Sequence, residues 1–453
     1  MTKYITPFIL ISLFIGCNIP KKPEITYFGG KIINPKCGYI TLSDNYKFND
    51  TIYLKKDNSF LGSYKDFKKG LYVFGHGPEH QYVYLEPKDS LLFRLNTWDF
   101  DESLVFSGKD AERNNMLIEA FLEKEKDEKN FYRLYNLSQD KFLKKIDSIK
   151  KIKQEKLVFF KENAKNKVSK EFIEILNIAL LYPVYTYLEQ YAIHNFTKKV
   201  PEKLVPSYFD YRSNINSKKD SLIFYSPYYA LMIDKLYNDV YLKEGNSENF
   251  TLNLLNNINS NISSEEIKNK LLYNTVISHF FKEPNSQDKN KTFFTFFKLN
   301  TDIDQKKNIQ RLVNDLKLLN KGDKLPPFKL INAKGELKSI SKIIKGKNAV
   351  ILLKDNKYAS DDWIASRTNY LIKNNPNITF IVINLCDTSN KYTKEIPIKH
   401  QYTLPKNSKV CDFSTSKFPR MVLIDKQGII KNGYTSLSAK NINTEVSNLL
   451  KNK

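Results

Sequence analysis

The chain has 453 residues, 41% hydrophobic and 13% aromatic, with 72 Lys and Arg against 49 Asp and Glu for a formal net charge of +23. That length and apolar content exclude a disordered tail and provide for two or three domains, each with its own core. A basic excess attracts anionic lipid headgroups or acidic polymers, but the lysines are spread along the chain and no arginine-rich helix or aromatic-basic motif occurs, so no nucleic-acid partner is expected.

The N-terminus opens with Lys3 and an apolar run, Pro7 to Gly16, too short to span a bilayer. It ends in Leu13-Phe14-Ile15-Gly16-Cys17, which resembles the bacterial lipobox. The resemblance implies a lipoprotein signal peptide over 1–16, acylation at Cys17 and a short linker over 17–23. No acidic cluster follows the cysteine, so the expected location is the cell envelope, lipid-anchored at the outer membrane and facing the periplasm.

Residues 24–108 form short alternating segments such as EITYFGGKII, GLYVFGH, QYVYLEP and SLLFRLNT, separated by turn signals. Aromatic and β-branched residues alternating with polar ones predict strands with one wet face, and a small β-sandwich is the economical arrangement. The stretch Leu85 to Asn115 resembles the β domain found ahead of thioredoxin-like domains in many Bacteroidota lipoproteins. His76-Gly77-Pro78-Glu79-His80 matches an inverted zinc-protease pattern. Zinc chemistry needs that pattern on a helix, and Gly77-Pro78 between two strand-like flanks predicts a hairpin turn instead.

Residues 109–320 change to helical periodicity. Leu143, Ile146, Ile149 and Ile152 are expected along one side of a helix, Pro183 is expected to kink or interrupt another, and Ser263 with Glu266 predicts a capping box. His194, His279 and His400 have no metal-ligand spacing, and Gly322, Gly335 and Gly346 all sit at turns, so no metal and no cofactor are expected.

Residues 322–453 read as an α/β domain. NAVILL and NITFIVINL are continuous apolar strands. Between them Asp361 or Ser360 caps a helix expected to turn Trp363, Ile364, Tyr370 and Leu371 inward. MVLID and GIIKNGYT predict a hairpin around Asp425 to Gly428.

The order of an entry hairpin, Lys345-Gly346-Lys347, a buried strand, a helix and FPRMVLIDKQG resembles the membrane-anchored thioredoxins of the TlpA type. The family carries two cysteines two residues apart just after the first strand. Here Lys354 to Trp363 reads KDNKYASDDW and contains none. The resemblance therefore implies a multidomain protein: an all-β sandwich, a helical middle and a thioredoxin-like tail without its thiols. Phe418-Pro419 stands where the family carries a cis-proline beside its active site. The expected role is peptide or protein binding through Tyr358, Trp363, Phe418 and Pro419, with no catalytic residue. The alternative is a divergent thiol-disulfide oxidoreductase using Cys386 and Cys411. Bridged, those two would restrict the unfolded chain by about 3–4 kcal/mol.

Overall fold

The structure is a computed structural model that describes residues 24–451, apart from 167, 246, 248, 283–288, 356–359, 386–391 and 417. It divides into two compact units. The first comprises the described residues up to His194, with Leu204–Ser213 and Phe224–Met232; the second holds the remainder.

In the first unit eight strands form two four-stranded sheets. The strands are β1 (Ile25–Ile33), β2 (Tyr39–Ser43), β3 (Asn49–Tyr53), β4 (Ser59–Lys65), β5 (Gly70–His76), β6 (Glu79–Leu85), β7 (Ser90–Asn96) and β8 (Val105–Gly108). The sheet orders are β4-β1-β7-β8 and β3-β2-β5-β6, which is the expected sandwich. Alternation sends every second side chain inward. Phe28, Phe60, Phe74 and Phe93 meet there, with ring centroids 4.8–6.0 Å apart. The parallel β1–β7 pair places Gly30 opposite Phe93. A Cβ on Gly30 would lie 2.2 Å from the Phe93 carbonyl oxygen, so only glycine permits this approach.

The helices following the sandwich are α1 (Ala111–Phe131), α2 (Gln139–Asn163) and α3 (Lys170–Phe196). α1 is fastened by Arg113, whose fork reaches Glu86 at 2.5 Å and both oxygens of Asp89 at 2.8–2.9 Å. Burial works against the Arg113 charge, but Asp89 and Glu86 hold it above its ordinary range. In α2 the buried positions are Phe142, Ile146, Lys153 and Phe160, whereas Ile152 is exposed. Ile146 is buried as expected and Leu143 and Ile149 are half-buried, but the centre of the stripe runs through Phe142 and Lys153. Lys153 is buried on it because its ammonium is paired with Glu123. α3 runs unbroken through Pro183. That helix is buried nearly all round, and packing of this extent outweighs the hydrogen bond a mid-helix proline removes.

The second unit contains most of α4 (Ser226–Glu244), then α5 (Phe250–Asn261), α6 (Glu265–Lys282), α7 (Lys289–Leu299) and α8 (Ile303–Asp315). Ser263 does not form the expected capping box: its hydroxyl donates to Asp220 at 2.6 Å. The C-terminal elements are β9 (Lys329–Ile331), β10 (Leu337–Ser339), the single turn α9 (Ile340–Ile343), β11 (Ala349–Lys354), α10 (Asp361–Asn374), β12 (Thr379–Asn384), β13 (Gln401–Thr403), β14 (Arg420–Ile424), β15 (Ile430–Thr435) and α11 (Ile442–Asn448). They build one seven-stranded sheet, β10-β9-β13-β12-β11-β14-β15. β11 is parallel to β12 and antiparallel to β14, and β14 turns back into β15. A parallel strand-helix-strand unit followed by an antiparallel hairpin and a helix is the thioredoxin-like arrangement expected of this tail. Both sheet faces are covered, by one core around Ile351, Ile383 and Val422 and another around Val350, Ile364 and Val446. Residues of the helical segment 109–320 fall in both units.

Candidate functional site

The site occupies the carboxyl end of β11, the start of α10 and the segment entering β14. β11 is wholly buried and ends in a lysine, Lys354, whose Nζ donates to Asp361 at 2.7 Å. Asp361 is the first residue of α10 and also accepts the Thr393 hydroxyl at 3.1 Å. Thr393 is fixed by the buried amide of Gln401, through bonds of 2.7 and 2.9 Å to its backbone. Ser360 caps α10 by accepting the Trp363 N–H at 3.3 Å, as expected. A dithiol of the thioredoxin kind works at such a helix start because unpaired N–H groups favour a thiolate. Here a cap and two carboxylates, Asp361 and Asp362, already occupy that field.

The outward side of α10 differs from expectation. Ile364, Ala365, Thr368 and Leu371 are buried, whereas Trp363 is 39% and Tyr370 48% exposed. Residues 363, 367 and 370 share one helical face, and the Arg367 guanidinium lies 5.7 Å from the Tyr370 ring centre. The result is an open aromatic-basic stripe.

The segment before β14 is anchored from below by Asp315, the last residue of α8. Its Oδ1 accepts the Thr415 N–H and hydroxyl at 3.0 and 2.7 Å, and its Oδ2 accepts the same groups of Ser416 at 3.0 and 2.7 Å. Arg420, fully buried, opens β14 between the rings of Phe413 and Tyr434, 5.6 and 5.0 Å from their centres. Its Nη2 donates to the Phe413 carbonyl, while Nη1 stands 3.8 Å from Asp315. Among the described residues, Nε and Nη1 find no hydrogen-bond acceptor. Burial holds this guanidinium below its usual range and pushes the Tyr434 phenol above its own.

Phe418 and Pro419 do not form the exposed surface expected of them. Phe418 packs into the helical core, 5.8 Å from the Phe281 ring, and Pro419 is buried beside it. An apolar ring between two helices has no reason to face water. No described peptide bond is cis, that between Phe418 and Pro419 included. Tyr358, Cys386 and Cys17 lie outside the described residues. Cys411 carries a free, exposed thiol. It lines a cleft of roughly 500 Å³ with Asn332, Asn384, Tyr392 and Ser408. Asn384 pairs in register with Lys354, so the cleft opens one strand away from the ion pair.

His76 is buried, its Nε2 accepting the Lys36 N–H and its Nδ1 facing the Tyr39 carbonyl, both at 2.9 Å. His80, on the partner strand, faces the opposite side of the sheet. Residues 76–80 are the expected hairpin. Among the described residues, no group of three His, Cys, Asp or Glu side chains is placed to hold a metal, and no helix is long and apolar enough to cross a membrane.

No protein-family model matches the chain, and no curated protein does. Among solved structures, part of this chain is similar to the thioredoxin domain of a thiol-disulfide oxidoreductase from Bacteroides vulgatus, at 24% identity over 25% of this chain and 87% of that one, with a TM-score of 0.22. It is similar also to a thiol:disulfide interchange protein from Bacteroides sp., at 22% over 25% and 80%, TM-score 0.21. A third is a thiol peroxidase from Chromobacterium violaceum, at 16% over 29% and 86%, TM-score 0.22.

Proposed function

We propose that this protein is a lipid-anchored component of the cell envelope, held through Cys17 at the outer membrane and facing the periplasm. Its thioredoxin-like tail binds a peptide or protein partner without exchanging thiols. The observation that carries the reading is the stripe of exposed Trp363 and Tyr370 with half-buried Arg367 between them, residue types that dominate the energetics of interfaces. The Lys354–Asp361 pair supports the loss of redox chemistry. Carboxylates at the start of α10 would raise, not lower, the pKa of a thiol placed there.

The competing reading is a thiol-disulfide oxidoreductase working through Cys386 and Cys411, favoured by the open position of Cys411 on its cleft. Insulin reduction by dithiothreitol separates the two. The chain from Asn18 onward is expected to leave the uncatalysed rate unchanged, as is its Cys386→Ser/Cys411→Ser variant. Acceleration by the first that disappears in the second would establish the oxidoreductase and overturn the proposal.

A further inference from the structure

Strands β4, β1, β7 and β8 turn one face of their sheet toward the sandwich core and the other toward solvent. The outward positions are Ile25, Tyr27, Gly29, Lys31 and Ile33 on β1; Ser59, Leu61, Ser63 and Lys65 on β4; Ser90, Leu92, Arg94 and Asn96 on β7; and Val105 and Ser107 on β8. None is a carboxylate, although the whole chain contains 49. Leu61, Leu92 and Val105 are 50%, 42% and 58% exposed. The first two lean together over Gly29, where a Cβ would meet their methyl groups at 2.8 and 3.2 Å. With Lys31, Lys55 and Arg94 they line one shallow hollow. Asp57, in the turn before β4, accepts from Ser59 and sets one carboxylate near Lys31, so the rim is mainly rather than wholly basic. An exposed apolar patch with a polar rim marks an interaction surface.

We infer that this face rests on an anionic lipid surface, its leucines and Val105 entering the interface and its basic residues meeting the headgroups. Two observations select that occupant. Charge complementarity is one: every charged outward position is cationic, and each Lys or Arg near an anionic leaflet strengthens attachment about fivefold. The tether is the other. Only seven residues separate Cys17 from Ile25, the first residue of β1 in this same sheet, and the eight steps between the two reach at most about 29 Å. The inference deepens the lipid-anchor reading. Its test uses unacylated protein, so failure here and failure of acylation at Cys17, which intact mass reads separately, are distinguishable.

The chain from Asn18 retains every described element and is mixed with vesicles of phosphatidylglycerol and phosphatidylcholine, or phosphatidylcholine alone, then sedimented. Binding is expected only to the anionic vesicles and weakens with salt. Lys31→Glu/Arg94→Glu is expected to lower it at least tenfold, and Leu61→Ser/Leu92→Ser several-fold. Lys270→Glu/Lys307→Glu, in the second unit and with the same change in charge, is expected to stay within twofold. Should the first pair fail to fold by circular dichroism, Lys55→Glu, in a turn outside the strands, reads the same face. Equal loss in both charge-reversal pairs would mean attraction by bulk charge and overturn the inference. So would absence of binding, or a change of the protein's own oligomeric state in the face variants, which would make the face a contact between copies.

Discussion

Asp315→Ala is expected to destabilise the second unit by about 3–5 kcal/mol, the cost of leaving a buried charge without its partner. Two N–H groups and two hydroxyls, of Thr415 and Ser416, lose their acceptor together, and the carboxylate facing Arg420 goes with them. The reverse removal should be far milder. In Arg420→Met the carboxylate keeps all four donors, and the chief losses are the bond to the Phe413 carbonyl and the ring contacts. A cost of no more than about 1–2 kcal/mol follows, because the arginine is itself poorly hydrogen-bonded. Urea unfolding followed by Trp363 fluorescence in a Trp98→Phe background reads this unit, since these are the chain's two tryptophans. Equal losses in the two variants would show that the ion pair, rather than the clamp on residues 415–416, holds the segment.

Arg113→Ala should be comparably severe in the first unit. It leaves Asp89 buried and Glu86 half-buried with no cation between them. Burial already holds the Asp89 carboxyl above its ordinary range despite Arg113. Glu86 is held below its own against the effect of burial, by Ser169 and then Arg113 and Tyr84. A loss of about 3–5 kcal/mol in a unit of this size lowers its calorimetric transition by about 6–20 °C. Arg113→Lys should fall between, since an ammonium has one nitrogen where the guanidinium uses two, Nη1 to Glu86 and Nη2 to Asp89. A shift of a degree or two for Arg113→Ala would show that the network sits at a fraying edge and does not fasten α1.

Most of the architecture was legible in the sequence because it rests on short-range pattern. The continuous runs of β11 and β12, the turn from Asp425 to Gly428 and the cap at Ser360 are local signals, and each appears where the pattern puts it. Side-chain direction was less legible. Trp363 and Ile364 are neighbours in sequence yet about 100° apart around α10, and hydrophobicity alone does not say which faces the sheet. Phe418 was misplaced for a related reason: its burial comes from α6, more than a hundred residues away. Asp315 gave no signal at all, because its partners lie a hundred residues downstream. Lys354 and Arg420 did leave one. Each is a cation at the end of an otherwise apolar strand, and such a residue is rarely buried unless something accepts its charge.

The binding role of the tail is tested most directly with Trp98→Phe protein, in which Trp363 is the sole tryptophan. The titrant is a reduced, carboxymethylated polypeptide, which has no thiol to exchange. A saturable blue shift of Trp363 emission is expected, unchanged in Cys386→Ser/Cys411→Ser. It should weaken at least about tenfold in Arg367→Ala/Tyr370→Ala, as expected for central interface residues. A Trp363 spectrum that never changes, or a response that vanishes with the cysteines and ignores Arg367 and Tyr370, would contradict that binding role.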